Sequence, residues 1–299
     1  MNAARPEISA VVIVYNGIEF LPDCLRTLTD DLRFTSHELI LVDNGSSDGS
    51  IEYVKTHYPQ ARLEENGANL GFARAVNIGL AMAQGEYLYI LNQDLRFRSG
   101  ATRTLLERLT AEPELGMIGP GYVYFDGRPH KSARALPTYR HVFYRAFLLD
   151  RLFSHHREFS HWRMGWFDQK DEMYVDQPMG AVMLMPREVV EKIGYMDESF
   201  PILFNDVDYC RRLKDKGYRL LYYPRATVEH HVGASTSKRP YRMKIISHFS
   251  MYRYLKKYAR WYEYPVLWTC GVLLVVGLVI SLAGGFVRRW LISTRSSSS

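Results

Sequence analysis

Short strand-like segments alternate with helix-like segments through the first 95 residues, and this alternation limits the possible folds more than any other feature of the chain. Ile8 to Val14 is a continuous run rich in β-branched residues, which is typical of a strand buried on both faces. Similar runs follow at 38–42, 61–64 and 87–91, and helical periods separate them at 19–29, 50–57 and 71–83. The pattern predicts an α/β fold whose mostly parallel sheet is flanked by helices.

The second half of the chain is less regular. Residues 119–134 predict a hairpin around Asp126 and Gly127. We expect strands at 178–185, 219–223 and 226–231, and helices at 187–193 and 206–216. The stretch 139–166 is aromatic, basic and only weakly periodic.

An apolar segment of 23 residues without a charge, Pro265 to Val287, is long enough to span a bilayer core. A basic strip precedes it: residues 238–263 hold eight Lys or Arg and one Glu, a net +7 within a chain of net +6. A near-neutral body with one basic strip beside an apolar segment indicates a membrane surface as partner and argues against a nucleic acid. A re-entrant or in-plane helix is the alternative to a full span.

These changes in charge and hydropathy along the sequence divide the chain into four predicted parts. They are a globular domain (1–237), a basic juxtamembrane helical segment (238–263), a membrane helix (264–288) and a disordered tail (289–299). We expect no signal peptide before the first strand, so the globular domain should stay on the side where it is made. Three widely spaced cysteines predict neither a disulfide framework nor a zinc site.

Polar residues follow the predicted parallel strands at their carboxyl ends, where open α/β sheets bind ligands. They are Tyr15 and Asn16, then Asp43 and Asn44, then 92–94. The glycine patterns of dinucleotide and P-loop sites are absent after the first strand. A carboxylate at a strand end, such as Asp43, can accept a base imide N–H. Ser47 and Asp48 are also good helix-capping residue types.

Three more side chains are candidates for binding a metal ion or for catalysis. Asp94 ends the Asn-Gln-Asp sequence 92–94, and a hard divalent cation needs such oxygen ligands together with phosphates. Two adjacent histidines, His230 and His231, end a strand, and only one of them can face a site there; we favour His230. Asp206 opens a helix, where the dipole should keep its pKa low, and it has no local cation partner. Asp208 has Arg212 four residues on and should form an ion pair.

Eight segments in this order resemble the family-2 inverting glycosyltransferases of the GT-A fold, closest to the bacterial rhamnosyltransferase-like branch. They are VVIVYN (11–16), VDNGSSD (42–48), NLGFARAVN (69–77), LNQD (91–94), GYMDESF (194–200), NDVDYCRRL (205–213), GY (217–218) and HHVGAS (230–235). The resemblance covers roughly residues 8–237. It departs from the family pattern at 92–94, where the metal-binding DxD motif has one carboxylate instead of two.

The resemblance implies a role for each site residue. Asp43 would bind the nucleotide base with Tyr15 and Asn16 beside it, and Asp94 and His230 would hold Mn²⁺ or Mg²⁺ on the diphosphate. Asp206 would be the base that deprotonates the acceptor. The remaining nucleotide-binding residues implied are Asn69, Arg74 and Asn92.

The resemblance also implies the reaction, in which a sugar moves with inversion from a nucleotide diphosphate donor to a hydroxyl of a lipid-linked (polyprenyl diphosphate) glycan acceptor. L-rhamnose from dTDP-rhamnose is the sugar expected, with a UDP-hexose as the alternative. The implied location is the inner (cytoplasmic) membrane, with the catalytic domain facing the cytoplasm. Two other classes stay open: a nucleotidyltransferase, which needs a basic glycine-rich loop that 15–21 lacks, and a non-catalytic sugar-nucleotide-binding module.

Overall fold

Residues 5–231 and 240–296 are described by a computed structural model of the chain, without the side chains of 284–296. The predicted alternation in the first third is confirmed. Its elements are β1 (Ile8–Val14), α1 (Leu21–Asp31), β2 (His37–Asp43), α2 (Ser50–His57), β3 (Arg62–Glu65), α3 (Phe72–Met82) and β4 (Tyr87–Asn92). The four strands pair in parallel in the order β3-β2-β1-β4.

The middle and later parts of the chain extend the same sheet. Their elements are β5 (Leu95–Phe97), α4 (Ala101–Thr110), β6 (Leu115–Val123), β7 (Pro129–His130), α5 (Tyr139–Ala146), α6 (Leu149–Leu152), β8 (Met173–Tyr174), β9 (Val182–Pro186), α7 (Arg187–Ile193), α8 (Asn205–Asp215) and β10 (Arg219–His230). Beyond β4 the order is β9-β6-β10-β5, with β7 on β6 and β8 on β10. The α/β class and the mostly parallel sheet are therefore as predicted, with β5, β7, β8 and β9 as antiparallel exceptions.

Several boundaries differ from the sequence prediction. The predicted hairpin is present as β6 and β7, which turn around Gly127 at a positive φ of 83°. The two strands predicted at 219–223 and 226–231 are one strand, because the pairing of β10 with β6 continues past an irregularity between Tyr223 and Thr227. Pro224 lies in that irregularity and has no N–H to donate, which explains the break in the sequence pattern. Helix α4 and strand β5 were not predicted.

The sheet is buried on both faces, as the composition of β1 predicts. Ile8, Ala10, Val12 and Val14 lie in one apolar cluster, and Val11 and Ile13 lie in the other. This alternation follows from the two-residue period of a strand. The carboxyl ends of β1, β2 and β4 therefore meet at one edge, supported by packed layers on both sides.

Residues 137–166 belong to a second compact unit together with residues from 239 onward, and the rest of the chain forms the first unit. The second unit contains α5, α6, α9 (Pro240–Tyr258), a 3₁₀ turn (Trp261–Glu263) and α10 (Tyr264–Ser296). The sequence pattern places 139–166 inside the first domain, whereas the structure groups it with the C-terminal helices, a link that leaves no signal in local sequence. The boundary at 237 lies outside the described residues, and the one at 263 stays a prediction.

Helix α10 continues to Ser296, although we predicted a disordered tail from 289. The tail's last residues, 297–299, lie outside the described part of the chain. Within the described residues one helical stretch, Trp261–Ala283, is long and apolar enough to cross a membrane, with a mean hydropathy of 2.5.

Candidate active site

Asp43 is the last residue of β2, and only one of its two carboxylate oxygens has hydrogen-bond partners among the described residues. Its Oδ2 accepts the N–H groups of Gly45 and Ser46 at 2.9 and 3.0 Å, which fixes the side chain at the strand end. Its Oδ1 is buried and has no hydrogen-bond partner among the described residues. A buried carboxylate oxygen without a donor is costly, so this atom is suited to receive a hydrogen bond from a ligand.

The loop after β1 is held by side chains rather than left free. Gln93 forms two hydrogen bonds with the backbone of Tyr15, both at 2.9 Å. The Asn16 carboxamide oxygen accepts the N–H of Ser47 at 2.8 Å, and Asn16 has a φ of 45°. The structure thus brings Tyr15 and Asn16 to the same edge as Asp43, and Gln93 in the centre of the Asn-Gln-Asp sequence holds the loop there.

Asp48 supports this loop and also accepts the N–H of Ser50, the first residue of α2, at 3.1 Å, although it lies one position before the N-cap residue. Helix α2 begins at Ser50 with Gly49 as the N-cap residue. The Asp48 carboxylate accepts the N–H of Ile18 at 3.0 Å and the hydroxyl of Ser50 at 2.6 Å. Burial alone would raise the pKa of Asp48, but these hydrogen bonds lower it below its ordinary value. Neither Ser47 nor Asp48 is therefore the N-cap residue.

The other three implied nucleotide-binding residues differ in the hydrogen bonding and exposure of their side chains. They are Asn69, Arg74 and Asn92. The Asn69 carboxamide oxygen accepts from Asn44 at 3.3 Å and from the N–H of Gly71 at 3.0 Å, so it orders the start of α3. Arg74 is exposed on α3. Asn92 has a buried Oδ1 without a hydrogen-bond partner in the described chain.

Asp94 and His230 face each other although more than a hundred residues separate them in sequence. His230 Nε2 lies 3.4 Å from Asp94 Oδ1, and both side chains are at most 10% exposed. The Nδ1 of His230 is buried and has no hydrogen-bond partner among residues 5–231 and 240–296. His231 instead stacks on Phe20, with ring centroids 4.4 Å apart. Of the two histidines, His230 is the one beside Asp94.

These two side chains fit a divalent cation only if a ligand completes its coordination. The described residues contain no group of three or more His, Cys, Asp or Glu side chains that could hold a metal. The pair offers one carboxylate and one imidazole, and the imidazole has an unpartnered ring nitrogen. Mg²⁺ sites commonly consist of one or two carboxylates plus substrate phosphates, so the donor set matches a cation that arrives with a diphosphate.

A third imidazole, which the sequence did not single out, lies close by. The rings of His130 on β7 and His230 have centroids 6.1 Å apart, and Tyr122 on β6 is 5.8 Å from His230. Burial, followed by the neighbouring charges of His230 and Arg134, lowers the pKa of His130 to about 4. His130 is therefore neutral at neutral pH. The hairpin around Gly127 was predicted, but its pairing register, which places this ring, was not.

Asp206 is half-buried in the first turn of α8. Its Oδ2 accepts from the Gln177 amide at 2.7 Å and its Oδ1 accepts the N–H of Val207 at 2.9 Å. Burial raises the pKa of Asp206 above its ordinary value, although the hydrogen bonds from Gln177, Val207 and Gly180 act in the opposite direction. We expected the helix dipole to keep this pKa low; desolvation outweighs the dipole.

Asp208 takes the structural role that its spacing predicts. Its buried carboxylate lies 3.0 Å from the Arg212 guanidinium, which also donates to the carbonyl oxygens of Ile193 and Tyr195. The ion pair lies within α8, and the two hydrogen bonds of Arg212 to the carbonyl oxygens tie α8 to the end of α7. Asp206 has no such cation beside it among the described residues, and this difference separates the two neighbouring carboxylates.

Gly180 approaches Asp206 so closely that no side chain fits there. A Cβ on Gly180 would lie 2.6 Å from the Asp206 Cβ and 2.9 Å from Oδ2. We had placed Gly180 inside a strand at 178–185, but β9 begins only at Val182. A glycine within an apolar run is itself a signal of close backbone approach, and it could have indicated this contact.

We expect Gly180→Ala to lower turnover by about 10²-fold, because the new methyl group must displace the Asp206 carboxylate by a large fraction of an ångström. Steady-state kinetics should show the loss in kcat with a small change in donor affinity. Gly127→Ala is the control: its methyl would meet no described atom within 4 Å, so kcat should be unchanged, and its positive φ makes the substitution cost some stability. Wild-type turnover in Gly180→Ala would contradict the close packing.

Comparisons with known proteins show which family the chain is similar to. A family model described as Glycosyl transferase family 2 matches residues 9–171. N-acetylglucosaminyl-diphospho-decaprenol L-rhamnosyltransferase from Mycobacterium tuberculosis is 29% identical over 257 residues, which cover 77% of this chain and 78% of that protein. The O-antigen biosynthesis protein RfbC from Myxococcus xanthus is 25% identical over 77% of this chain and 18% of its own.

A solved structure shows the same fold. The mannosyltransferase PcManGT from Pyrobaculum calidifontis, in complex with GDP-Man and Mn²⁺, superposes with a TM-score of 0.57 at 16% identity. The match covers 98% of this chain and 80% of that one. At this identity the likeness concerns the fold alone, and it confirms the GT-A architecture predicted for the sheet.

Proposed function

The chain belongs to glycosyl transferase family 2 and is a glycosyltransferase, and from this premise we propose that it moves L-rhamnose from dTDP-rhamnose, with inversion, to a hydroxyl of a polyprenyl-diphosphate-linked glycan. The name of the mycobacterial relative, which specifies rhamnosyl transfer to N-acetylglucosaminyl-diphospho-decaprenol, supports this choice of sugar and acceptor. The observation that carries the proposal is the half-buried Asp206 carboxylate, held by Gln177 and without a cation partner in the described chain.

The proposed reaction is a single displacement at the anomeric carbon. The acceptor oxygen forms the new bond to that carbon while the bond to the diphosphate oxygen breaks, and the hydroxyl proton passes to the Asp206 carboxylate. A base whose pKa burial has raised towards the working pH is better matched to this proton transfer than an ordinary aspartate. The carboxylate returns to its starting state when it releases the proton to water.

Donor binding is assigned to the edge formed by β1, β2 and β4. The unpartnered Oδ1 of Asp43 would accept the imide N–H of the thymine base, beside Tyr15 and Asn16. Asn69, Arg74 and the free Oδ1 of Asn92 would complete the nucleotide contacts. Asp94 and His230 would hold Mn²⁺ or Mg²⁺, which supplies positive charge to the leaving diphosphate.

The proposed setting is the inner membrane, with the catalytic unit in the cytoplasm. Support comes from the apolar stretch Trp261–Ala283 and from the basic residues before it, which a cytoplasmic anionic leaflet attracts by about 1 kcal/mol each. A lipid-linked acceptor is presented at this surface, which makes a membrane position useful for the reaction.

The test is a donor panel with the full chain in detergent or vesicles. dTDP-rhamnose, UDP-hexoses and GDP-mannose are each incubated with Mn²⁺ and polyprenyl-diphosphate N-acetylglucosamine, and mass spectrometry follows the lipid product. We expect a gain of one deoxyhexose from dTDP-rhamnose only, with the inverted anomeric configuration by NMR, and no product from Asp206→Asn. Product from a UDP-hexose alone would replace rhamnose as the donor sugar, and retention of configuration would overturn the single displacement.

The pH profile offers a separate check on the base. The Gln177 hydrogen bond lowers the pKa of Asp206, so Gln177→Leu should move the acidic limb of kcat/KM to higher pH. Gln177→Glu should move it further, since a second carboxylate would face the first at hydrogen-bond distance. If the acidic limb of kcat/KM stays at the same pH in both variants, a group other than Asp206 is responsible for it.

A further inference from the structure

Exposed apolar side chains are concentrated in the second unit, residues 137–166 and 239–299. Eighteen large apolar residues are exposed in the described chain, and only Tyr174 and Tyr195 belong to the first unit. Water-facing surfaces of ordinary domains carry such residues singly. This concentration indicates that something other than water covers the second unit.

Charge divides along the same boundary. The second unit holds fifteen Lys or Arg and three Asp or Glu, a net +12, which leaves the first unit with −6. The division is sharper than the sequence alone indicates, because the internal stretch 137–166 contributes five arginines and two acids to the basic side. A unit that is both apolar and strongly basic is complementary to an anionic lipid surface.

One group of the exposed residues does not belong to the apolar helix α10. Phe147, Leu148, Leu152 and Phe153 are exposed by 64, 51, 72 and 49%, and we call them the 147–153 cluster. They lie at the junction of α5 and α6, where Leu148 has a φ of 58°, a left-handed conformation that bulky residues rarely adopt. The turn at this junction therefore has an unfavourable backbone conformation, and it leaves four large apolar side chains exposed.

The surroundings of the cluster identify what covers it. Helix α5 packs against α10, and Cys270 of α10 lies 3.9 Å from the Tyr139 carbonyl oxygen. The helix that leads into the cluster thus packs against the helix that is long enough to cross a membrane. Arg145 precedes it and Arg151 lies within it on the sequence, and the side chain of Arg145 is 45% exposed. Apolar side chains with neighbouring arginines are the composition of interfacial membrane segments.

We propose that the 147–153 cluster inserts into the interfacial layer of an anionic bilayer and forms a second membrane contact beside α10. The inference rests on the membrane location proposed above, and it goes beyond it by assigning a lipid-binding role to an internal segment of the chain. Interfacial segments bury their apolar face about 5–10 Å into the boundary between headgroups and acyl chains. The four side chains lie at that depth while the arginines contact lipid phosphates.

The experiment places an environment-sensitive fluorophore on single introduced cysteines of the full chain in phosphatidylethanolamine–phosphatidylglycerol vesicles. The probe positions are Leu152→Cys in the cluster, Val272→Cys at the midpoint of the apolar stretch, and Tyr195→Cys as an exposed control in the first unit. The three native cysteines are buried, and a labelled wild-type sample measures their background. Quenchers are lipids with a nitroxide near the headgroup or near the chain end, and aqueous iodide.

We expect the probe at 152 to be quenched by the shallow nitroxide and protected from iodide, and the probe at 195 to show the reverse. If 152 behaves like 195 while the deep nitroxide quenches 272, the cluster does not insert and the membrane location stands. If lipid quenches neither 152 nor 272, the membrane location fails as well. Protection of 152 from iodide without lipid quenching would mean that protein covers the cluster, which also overturns the proposal.

The result does not depend on a single substitution. If Leu152→Cys fails to fold by circular dichroism, Phe153→Cys reports on the same cluster, and its side chain is likewise exposed. Transfer activity is not read in this experiment, so its outcome is independent of the donor and acceptor assignments.

Discussion

Asp206→Asn should reduce turnover by about 10²–10⁴-fold while leaving donor affinity nearly unchanged, because it removes the proposed general base and no proposed donor contact. The substitution keeps the shape of the side chain, and the Gln177 amide can turn to present its oxygen to the new NH₂ group. Rapid-quench kinetics with saturating donor would measure the chemical step, and calorimetric titration of the nucleotide diphosphate would measure affinity.

The same substitution should not lower stability. The pKa of Asp206 is raised in the folded state, so the protonated form is favoured by folding, and that contribution is lost as pH rises through the folded pKa. At neutral pH the buried ionised group therefore opposes folding, and a neutral amide removes this cost. We expect the melting temperature of Asp206→Asn to equal or exceed that of the wild type at pH 7.

Asp208→Asn is the matched control, two positions away on the same helix. It removes the charge that pairs with Arg212 at 3.0 Å, so it should cost about 1–3 kcal/mol of folding free energy and spare most turnover at low temperature. The assignment of the base fails if the folded Asp208→Asn protein is inactive, or if Asp206→Asn keeps most of its turnover.

Asp94→Ala should abolish the part of nucleotide binding that depends on a divalent cation. The pair Asp94 and His230 offers two donors, so removing the carboxylate leaves a single imidazole that cannot hold Mn²⁺ on the diphosphate. Free Mn²⁺ can be followed by electron paramagnetic resonance as nucleotide diphosphate is added. The wild type should take up the ion with the nucleotide, and the variant should not.

Asp126→Ala is the control for this loss, since Asp126 is an exposed carboxylate in the turn between β6 and β7. It should bind Mn²⁺ and nucleotide as the wild type does. Full transfer activity of the wild type in excess chelator would remove the metal from the proposal altogether.

The sequence predicts the edge proposed for nucleotide binding better than the surroundings of the proposed base. β1 and β2 are continuous apolar runs, their carboxyl ends must meet in a parallel sheet, and the polar residues that follow them are therefore close in the fold. The local pattern of apolar and polar residues is enough to predict the strands and the polar residues that follow them. The pairing of Asp208 with Arg212 is local too, which is why the helical spacing predicts it.

The surroundings of Asp206 depend on contacts that no local pattern contains. Gln177 and Gly180 reach it from a segment before β9, and β9 enters the sheet antiparallel between β4 and β6. Desolvation by these neighbours sets the direction of the pKa shift, so a prediction from the helix dipole alone had the wrong sign. The insertion of 137–166 into the C-terminal unit was missed for the same reason.

The position of β5 in the sheet sets an order of events during synthesis. β5 pairs with β10, in a register that places Leu95 opposite His230, and Asp94 lies immediately before β5. Residues 95–97 therefore leave the ribosome long before the strand that they join, and closing so long a loop is entropically expensive and slow. A nascent chain that stops short of residue 228 has β1, β2 and β4 but cannot place His230 beside Asp94. Cation-dependent donor binding should thus be acquired late, when the last strand completes the sheet.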